Sequence, residues 1–151
     1  MASKVPMSAA RRFPAELRSL ARLRAYLRES AEALGVDEDS ITDLLLAADE
    51  LATNAIVHGY QDKGGGWLEV EVAAEGPDLV VHLRDAAPAF DPTQLPAPDL
   101  SLPLEKRPLG GLGVYLARAA VDEMIYHAPP AGGNQLTLVK RGILSLQEED
   151  R

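Results

Sequence analysis

The stretch Glu50-Leu51-Ala52-Thr53-Asn54-Ala55 lies inside an apolar run over 41–58 and carries most of the information in this chain. Apolar residues recur there at helical spacing, so we predict a helix over 41–58 that ends at Gly59. Glu50 and Asn54 fall on its polar side, about 40 degrees apart by the helical period. A carboxylate that can take a proton and an amide oxygen that can bind a hard cation thus lie side by side. If Glu50 and Asn54 are considered alone, the alternative interpretation is that they are part of a helix face exposed to solvent and have no functional role.

Composition restricts the class of protein. Of the 151 residues, 46% are hydrophobic and 25% are charged, which is typical of a globular chain. We expect one domain over 1–151, with its core at about 8–141 and an acidic tail at about 142–151. No apolar run approaches the ~20 residues of a membrane span, so no membrane partner is expected. The net charge of −8 argues against direct binding of nucleic acid. The absence of cysteine and of an export signal favours the cytoplasm.

Hydrophobic periodicity predicts a mixture of helices and strands along the chain. Ser40 with Asp43 resembles a capping box at the start of the second helix. The predicted elements are, in chain order, a strand at 8–13, helices at 15–34 and 41–58, strands at 67–74 and 79–84, a helix at 114–122, and strands at 123–128 and 135–141.

A long loop separates the predicted strand at 79–84 from the third predicted helix. Residues 86–109 show no helical or strand period and hold six of the eleven prolines, which is typical of a lid or binding loop. The loop opens after Asp85, which at a strand end can accept a hydrogen bond from an exocyclic amine or can simply initiate a turn. It closes with Gly110-Gly111-Leu112-Gly113, where bare amides can meet an anion, or which can act as a flexible hinge. The chain has no P-loop motif, and Leu116 breaks the dinucleotide-binding glycine pattern.

The order of these features resembles the GHKL, or Bergerat-fold, ATP-binding superfamily. The segments most similar to its small bacterial branch, the anti-sigma-factor serine/threonine kinases, are Asn54–Tyr60, Phe90-Asp91-Pro92, Gly110–Tyr115 and Leu136–Arg141. The resemblance covers about residues 10–141. It implies an α+β fold, a two-layer α/β sandwich of the histidine-kinase-like ATPase type. Its mixed, mainly antiparallel sheet would be covered by helices on one face, with a long ATP lid.

The resemblance also implies roles for individual residues. Glu50 would be the general base, Asn54 would coordinate the Mg²⁺ that bridges the ATP phosphates, and Asp85 would hydrogen-bond the adenine amino group. Lys106 or Arg107 would neutralise charge on the γ-phosphate, although exposed charge on a lid explains both equally well. The residues implied to hold the cofactor are Asn54, Asp85, Ala87, Lys106, Arg107, Gly110, Gly111, Leu112 and Gly113.

One position departs from the family pattern. The family often has glycine two residues after the adenine-binding aspartate, and this chain has Ala87. The extra methyl group is expected to narrow the pocket or weaken binding of the base. It therefore bears on the affinity for ATP rather than on the location of the site.

The length of the chain selects among branches of the superfamily. A sensor histidine kinase needs a phosphoacceptor histidine on a helix ahead of the ATP domain, and His58, His82 and His127 all fall within the predicted domain. A gyrase-like ATPase needs a following domain, for which 151 residues are expected to leave no room. The resemblance thus implies a kinase that phosphorylates a serine or threonine of an anti-anti-sigma (STAS-domain) protein and binds a sigma factor directly. Such kinases typically form homodimers. The alternative is a non-catalytic protein-binding module gated by ATP, either an anti-sigma adaptor or a phosphatase-activating switch protein. The presence of Glu50 favours catalysis.

Overall fold

The structure describes residues 5–6, 10–96, 99–103 and 111–144. This part of the chain contains six strands and three α-helices, joined by turns and loops. The structure is a computed structural model. In chain order the elements are β1 (Val5–Pro6), β2 (Arg11–Pro14), α1 (Leu20–Ala33), α2 (Glu38–Asn54), β3 (Trp67–Glu75), β4 (Asp78–Asp85), α3 (Gly111–Ala120), β5 (Glu123–His127) and β6 (Asn134–Lys140).

The strands form a sheet in which every pairing between described strands is antiparallel. The strand order is β1, β3, β4, β6, β5, and β2 also pairs with β3. The mainly antiparallel sheet expected from the sequence is thereby confirmed. Because β4 lies between β3 and β6, its last residue, Asp85, stands opposite Leu68 on one side and Asn134 on the other.

One face of the sheet packs against the helices. On β3, Leu68, Val70 and Val72 are buried, as their alternation with Glu69 and Glu71 predicts. Burial of each such side chain stabilises the fold by about 1.5–3 kcal/mol. They share a core with apolar residues of all three helices, among them Leu23, Leu27, Ile41, Leu44, Ala48, Leu51, Val114 and Ala117. The expected two-layer α+β arrangement is therefore confirmed.

The start of α2 differs from the prediction. Asp37 has an extended backbone, and its side chain accepts a hydrogen bond from the Ser40 N–H at 3.0 Å. This is the geometry of an N-cap, and α2 therefore begins at Glu38. The predicted capping box of Ser40 with Asp43 is wrong, because the acidic residue three positions before Ser40 satisfies the free amide.

Other boundaries move by a few residues. The first α-helix begins at Leu20 rather than near 15, after a 3₁₀ turn at Leu17–Ser19. The strand predicted at 8–13 is β2, and residues 7–9 lie outside the described part. α3 begins at Gly111 rather than at 114. Between β4 and α3, the described residues form no helix or strand except a 3₁₀ turn at Pro92–Gln94. None of the helices in the described ranges combines the length and apolarity needed to cross a bilayer.

Candidate functional site

A cavity of about 480 Å³ opens between the end of α2, the end of β4 and the first residues of the long loop. Its volume suits a small-molecule ligand. Three residues predicted to hold a nucleotide line it: Asn54, Asp85 and Ala87. The other lining residues include Leu51, His58, Gln61, Phe90, Leu95, Asn134 and Leu136. The fold thus brings Asn54, at the end of α2, together with Asp85 and Ala87, at and just after the end of β4, in one concave site.

Asp85 forms part of the cavity wall at the end of β4. Its Oδ1 accepts hydrogen bonds from the Ala87 N–H at 3.0 Å and from Asn134 Nδ2 at 2.9 Å. Burial raises the pKa of Asp85, and these two donors act in the opposite direction. Oδ2 makes no hydrogen bond to any residue of the described ranges. It is therefore the oxygen that remains available to a ligand amine.

The methyl group of Ala87 has a specific place in this wall. Ala87 is only 2% exposed, and a Cβ added to Gly59 would lie 2.9 Å from the Ala87 Cβ. The methyl group therefore occupies space that Gly59 leaves free by having no side chain. The absence of a side chain at Gly59 thus accommodates the departure from the family pattern at Ala87.

The residues that follow Asn54 form a π-helical turn, Ala55–Gly59, instead of continuing the α-helix. The Tyr60 N–H donates to the Ala55 carbonyl at 2.8 Å, which closes the wider turn. Such turns are rare and are found frequently at functional sites. This turn shapes the cavity beside Asn54, and periodicity alone did not predict it.

Glu50 faces the first turn of α3. A Cβ placed on Gly113 would stand 2.5 Å from Glu50 Oε1, so the Glu50 carboxylate packs where only glycine leaves room. Glu50 and Asn54 are half-buried, and in the described part of the chain neither side chain has a hydrogen-bond partner. A solvated helix face does not describe this arrangement. The two side chains lie one helical turn apart on α2, with Glu50 beside the start of α3 and Asn54 at the cavity.

The predicted metal ligand fits an oxygen-coordinated cation. Among the residues that the structure describes, no group of three or more histidines and acidic residues is placed to hold a metal ion. Mg²⁺ bound through substrate phosphates needs only one or two protein ligands. The side chain of Asn54, at the cavity wall, meets that requirement.

The glycine cluster is only partly described. Gly111, Leu112 and Gly113 form the first turn of α3, where free amides and the helix dipole favour an anion. The remaining residues predicted to contact the phosphates lie outside the described part of the chain, and their roles stay predictions: Lys106, Arg107 and Gly110.

Two polar residues of the site were missed by the sequence analysis. The Tyr60 hydroxyl accepts a hydrogen bond from the Ala86 N–H at 2.7 Å and donates to the Trp67 carbonyl at 2.9 Å. Asn134, which is 8% exposed, donates to Asp85 from the neighbouring strand. Their only signal in the sequence is their position, next to Gly59 and Gly133, where the chain turns. Together they hold the corner at Asp85 and Ala86 from both sides.

Comparison with known proteins identifies the family. Residues 13–140, most of the chain, match the histidine kinase-like ATPase domain family. The chain belongs to this family. The GHKL-type fold that its motifs predict is thereby confirmed.

Its relatives include serine-protein kinases. The chain is 32% identical over 118 residues to the serine-protein kinase RsbW of Bacillus velezensis. This match covers 75% of this chain and 73% of the relative. RsbW of Bacillus subtilis is 30% identical over 116 residues, and the match covers 74% of this chain and 72% of that relative. A crystal structure of the RsbU and RsbW domains of a Mycobacterium tuberculosis protein matches 89% of this chain with a TM-score of 0.61 and 25% identity. This chain corresponds to 32% of that longer one. The predicted resemblance to the small bacterial kinase branch is confirmed.

Proposed function

We propose that this chain is an ATP-dependent serine/threonine protein kinase of the anti-sigma type. The observation that carries the proposal is the geometry around α2. A cavity that reaches Asp85 lies beside Asn54, and the carboxylate of Glu50 packs against α3 one helical turn away. A module that only binds nucleotide has no need of that carboxylate. The similarity to serine-protein kinases supports the same function.

Adenine binds in the cavity. Asp85 Oδ2 accepts a hydrogen bond from the exocyclic amine, and apolar side chains such as Leu51 and Leu136 contact the ring. Guanine carries a carbonyl oxygen at the corresponding position, which an ionised carboxylate repels. The site therefore selects ATP over GTP.

The phosphates extend from the cavity along α2 towards the start of α3. Asn54 holds Mg²⁺ through its amide oxygen, and the ion supplies neutralisation of phosphate charge. The amides of Gly111, Leu112 and Gly113 donate to phosphate oxygens. Lys106 or Arg107 adds positive charge at the γ-phosphate.

Transfer needs positioning and one proton acceptor. Glu50 accepts the proton of the substrate hydroxyl as its oxygen forms a bond to the γ-phosphorus. The bond from that phosphorus to the bridging oxygen breaks, and ADP leaves with the bonding electrons. The products are a phosphoserine or phosphothreonine, ADP and a proton.

The branch to which the relatives belong supports our proposal for the partners. The phosphate acceptor is an anti-anti-sigma (STAS-domain) protein, and the client is a sigma factor held away from RNA polymerase. The net charge of −8 suits capture of a basic protein surface and disfavours direct contact with nucleic acid. We place the kinase in the cytoplasm, as a homodimer that alternates between ATP and ADP.

A phosphotransfer assay tests this function. The full chain is incubated with γ-labelled ATP, Mg²⁺ and candidate STAS-domain proteins from the same genome, and label on serine or threonine is measured. The expected result is transfer to one candidate, with loss of transfer in Glu50→Ala. Mg-ATP binding without transfer to any candidate would instead support the ATP-gated adaptor. Absence of ATP binding would contradict both functions.

A further inference from the structure

The side chain of Asn134 forms the densest set of hydrogen bonds in the cavity wall. Nδ2 donates to Asp85 Oδ1 at 2.9 Å and lies 3.3 Å from the Ala87 carbonyl and 3.2 Å from the Pro88 carbonyl. Oδ1 accepts from the Phe90 N–H at 2.9 Å. It also accepts from the Tyr126 hydroxyl at 2.5 Å. One buried amide thus joins β4, the start of the long loop, and β5.

These partners fix both the orientation and the type of residue 134. The backbone N–H of Phe90 can only donate, so it must face Oδ1 of Asn134, whereas the carboxylate and two carbonyls must face Nδ2. A hydroxyl side chain is too short to reach all of them, and a carboxylate has no N–H to offer Asp85. The site therefore requires a side chain that donates and accepts at the same time.

We propose that Asn134 is a positioning residue that sets the purine selectivity of the cavity. It does so by holding the base-reading carboxylate of Asp85 and the loop segment up to Phe90 as one preformed unit. The inference rests on the proposed ATP site and adds to it the element that makes the site selective.

The bonds of Asn134 explain how it would act. Because Oδ1 of Asp85 is engaged by Asn134, the carboxylate cannot rotate, and Oδ2 keeps a fixed direction towards the base. Asn134 also holds the backbone on either side of Ala89, so the wall that ends at the half-exposed Phe90 keeps its distance from Asp85. Without the Asn134 amide, the Asp85 carboxylate can rotate and the loop segment up to Phe90 can move. Once such a carboxyl group has rotated and taken up a proton, its O–H can donate to the carbonyl oxygen of guanine.

The test compares ATP with GTP in the full chain. Dissociation constants for both nucleotides with Mg²⁺ are measured by displacement of a fluorescent ATP analogue. The variants are Asn134→Leu, which removes every bond, and the nearly isosteric Asn134→Asp, which keeps the acceptor and removes the donor. The matched control is Gln135→Leu. Gln135 is the next residue along β6, on the opposite face, and its side chain accepts from Arg84 Nε at 2.8 Å.

The expected result is a change in selectivity rather than a general loss. The ratio of the GTP to the ATP dissociation constant falls about tenfold or more in Asn134→Leu and in Asn134→Asp, which corresponds to the loss of a buried hydrogen bond. In Gln135→Leu the ratio stays at the wild-type value even if the melting temperature falls. If Asn134→Leu does not fold, Asn134→Asp alone decides.

Two results would overturn the inference, and they differ in what they say about the proposed function. In the first, the wild-type chain prefers ATP and the variants at 134 keep the same ratio of dissociation constants. The ATP site would then stand, and Asn134 would have no role in its selectivity. Wild-type chain that binds neither nucleotide would contradict the ATP site itself, and the inference with it.

Discussion

The two ends of the proposed nucleotide site are built differently. At the base end, Asp85 accepts a hydrogen bond from Asn134, the Phe90 N–H donates to Asn134, and the Ala86 N–H donates to the Tyr60 hydroxyl. At the phosphate end, the side chains of Glu50 and Asn54 have no hydrogen-bond partner among the residues described. The base end is thus organised before a ligand arrives, whereas at the phosphate end we expect the metal ion, the phosphates and the substrate to supply the partners.

The fold explains this difference. The base end lies at the paired ends of β4 and β6, in the middle of the sheet. The backbone hydrogen bonds between these two strands fix the positions of their residues. The phosphate end lies where α2 meets the first turn of α3, which follows the long loop. A selective step benefits from a rigid site, and a transfer step needs groups that remain free for the reacting atoms. We therefore expect substitutions at the two ends to change different quantities.

The largest effect is expected for Glu50→Gln. Removing the proton acceptor should lower the phosphotransfer rate at saturating ATP by about 10²–10⁴-fold, while the dissociation constant of Mg-ATP stays unchanged. Single-turnover transfer and calorimetry measure the two quantities. Glu29→Gln, on an exposed position of α1, is the control. A full transfer rate in Glu50→Gln would remove Glu50 from the role of base.

Asp85→Asn should act on binding and not on transfer. It replaces an acceptor for the adenine amine with a donor, so the ATP dissociation constant should rise about 10–100-fold. The transfer rate at saturating ATP should recover to near the wild-type value. Titration calorimetry and rates over a wide range of ATP concentration check this. Unchanged affinity would place the base elsewhere.

The Asp85→Asn variant should also be more stable to unfolding than the wild type at neutral pH. Burial raises the pKa of Asp85 in the folded chain above its ordinary value of 3.8, so folding favours the protonated carboxyl. The stability that this group contributes is therefore present at low pH and is lost as the pH rises through the raised pKa. Asp85→Asn should melt at a higher temperature than wild type at pH 7, and the difference should vanish below pH 3.8. A lower melting temperature at pH 7 would contradict this account.

Gly113→Ala should act through Glu50. The new methyl group would meet Glu50 Oε1 at 2.5 Å, and the flexible carboxylate would move aside. We expect transfer to fall about tenfold, while the helix gains up to ~1 kcal/mol from the better propensity of alanine. Transfer rates of Gly113→Ala, Glu50→Gln and the double variant form a cycle. Additive losses would show that Gly113 acts independently of Glu50.

The smallest effect is expected for Tyr60→Phe. It removes the hydroxyl that accepts from Ala86 and donates to Trp67, at a cost of about 1 kcal/mol in the free energy of unfolding. ATP affinity should fall a few-fold, and transfer at saturating ATP should be unaffected. Denaturant titration and calorimetry measure these changes. A loss of transfer at saturation would mean that the two ends are coupled more tightly than the structure indicates.

Local patterns predicted much of the fold. The alternation of Leu68, Val70 and Val72 predicted β3, and helical spacing around Glu50 predicted α2, because each signal reflects one buried face. The cap at Asp37 and the π-helical turn after Asn54 were missed, since both depend on backbone geometry at a helix end, where periodicity carries no information.

The candidate site was predicted where a residue type carries a motif, as for Asp85 and Asn54. Asn134 was not predicted, because its role arises from the register of β6 against β4, across 49 positions of the sequence. Tyr60 likewise acts on Ala86, 26 positions away. Contacts of that range are set by the folded sheet. The residues proposed to contact the ligand were therefore visible in the sequence, and the residues that position them were not.

The most direct test is a crystal structure of this chain with Mg²⁺ and a non-hydrolysable ATP analogue. The account predicts the adenine amine within hydrogen-bond distance of Asp85 Oδ2, the metal ion on the Asn54 amide oxygen, and the γ-phosphate on the side of Glu50. Asp85 and Asn134 should keep their positions, whereas the start of α3 gains contacts to phosphate. An adenine ring bound away from Asp85, or a γ-phosphate remote from Glu50, would contradict the division of the site into a base end and a phosphate end.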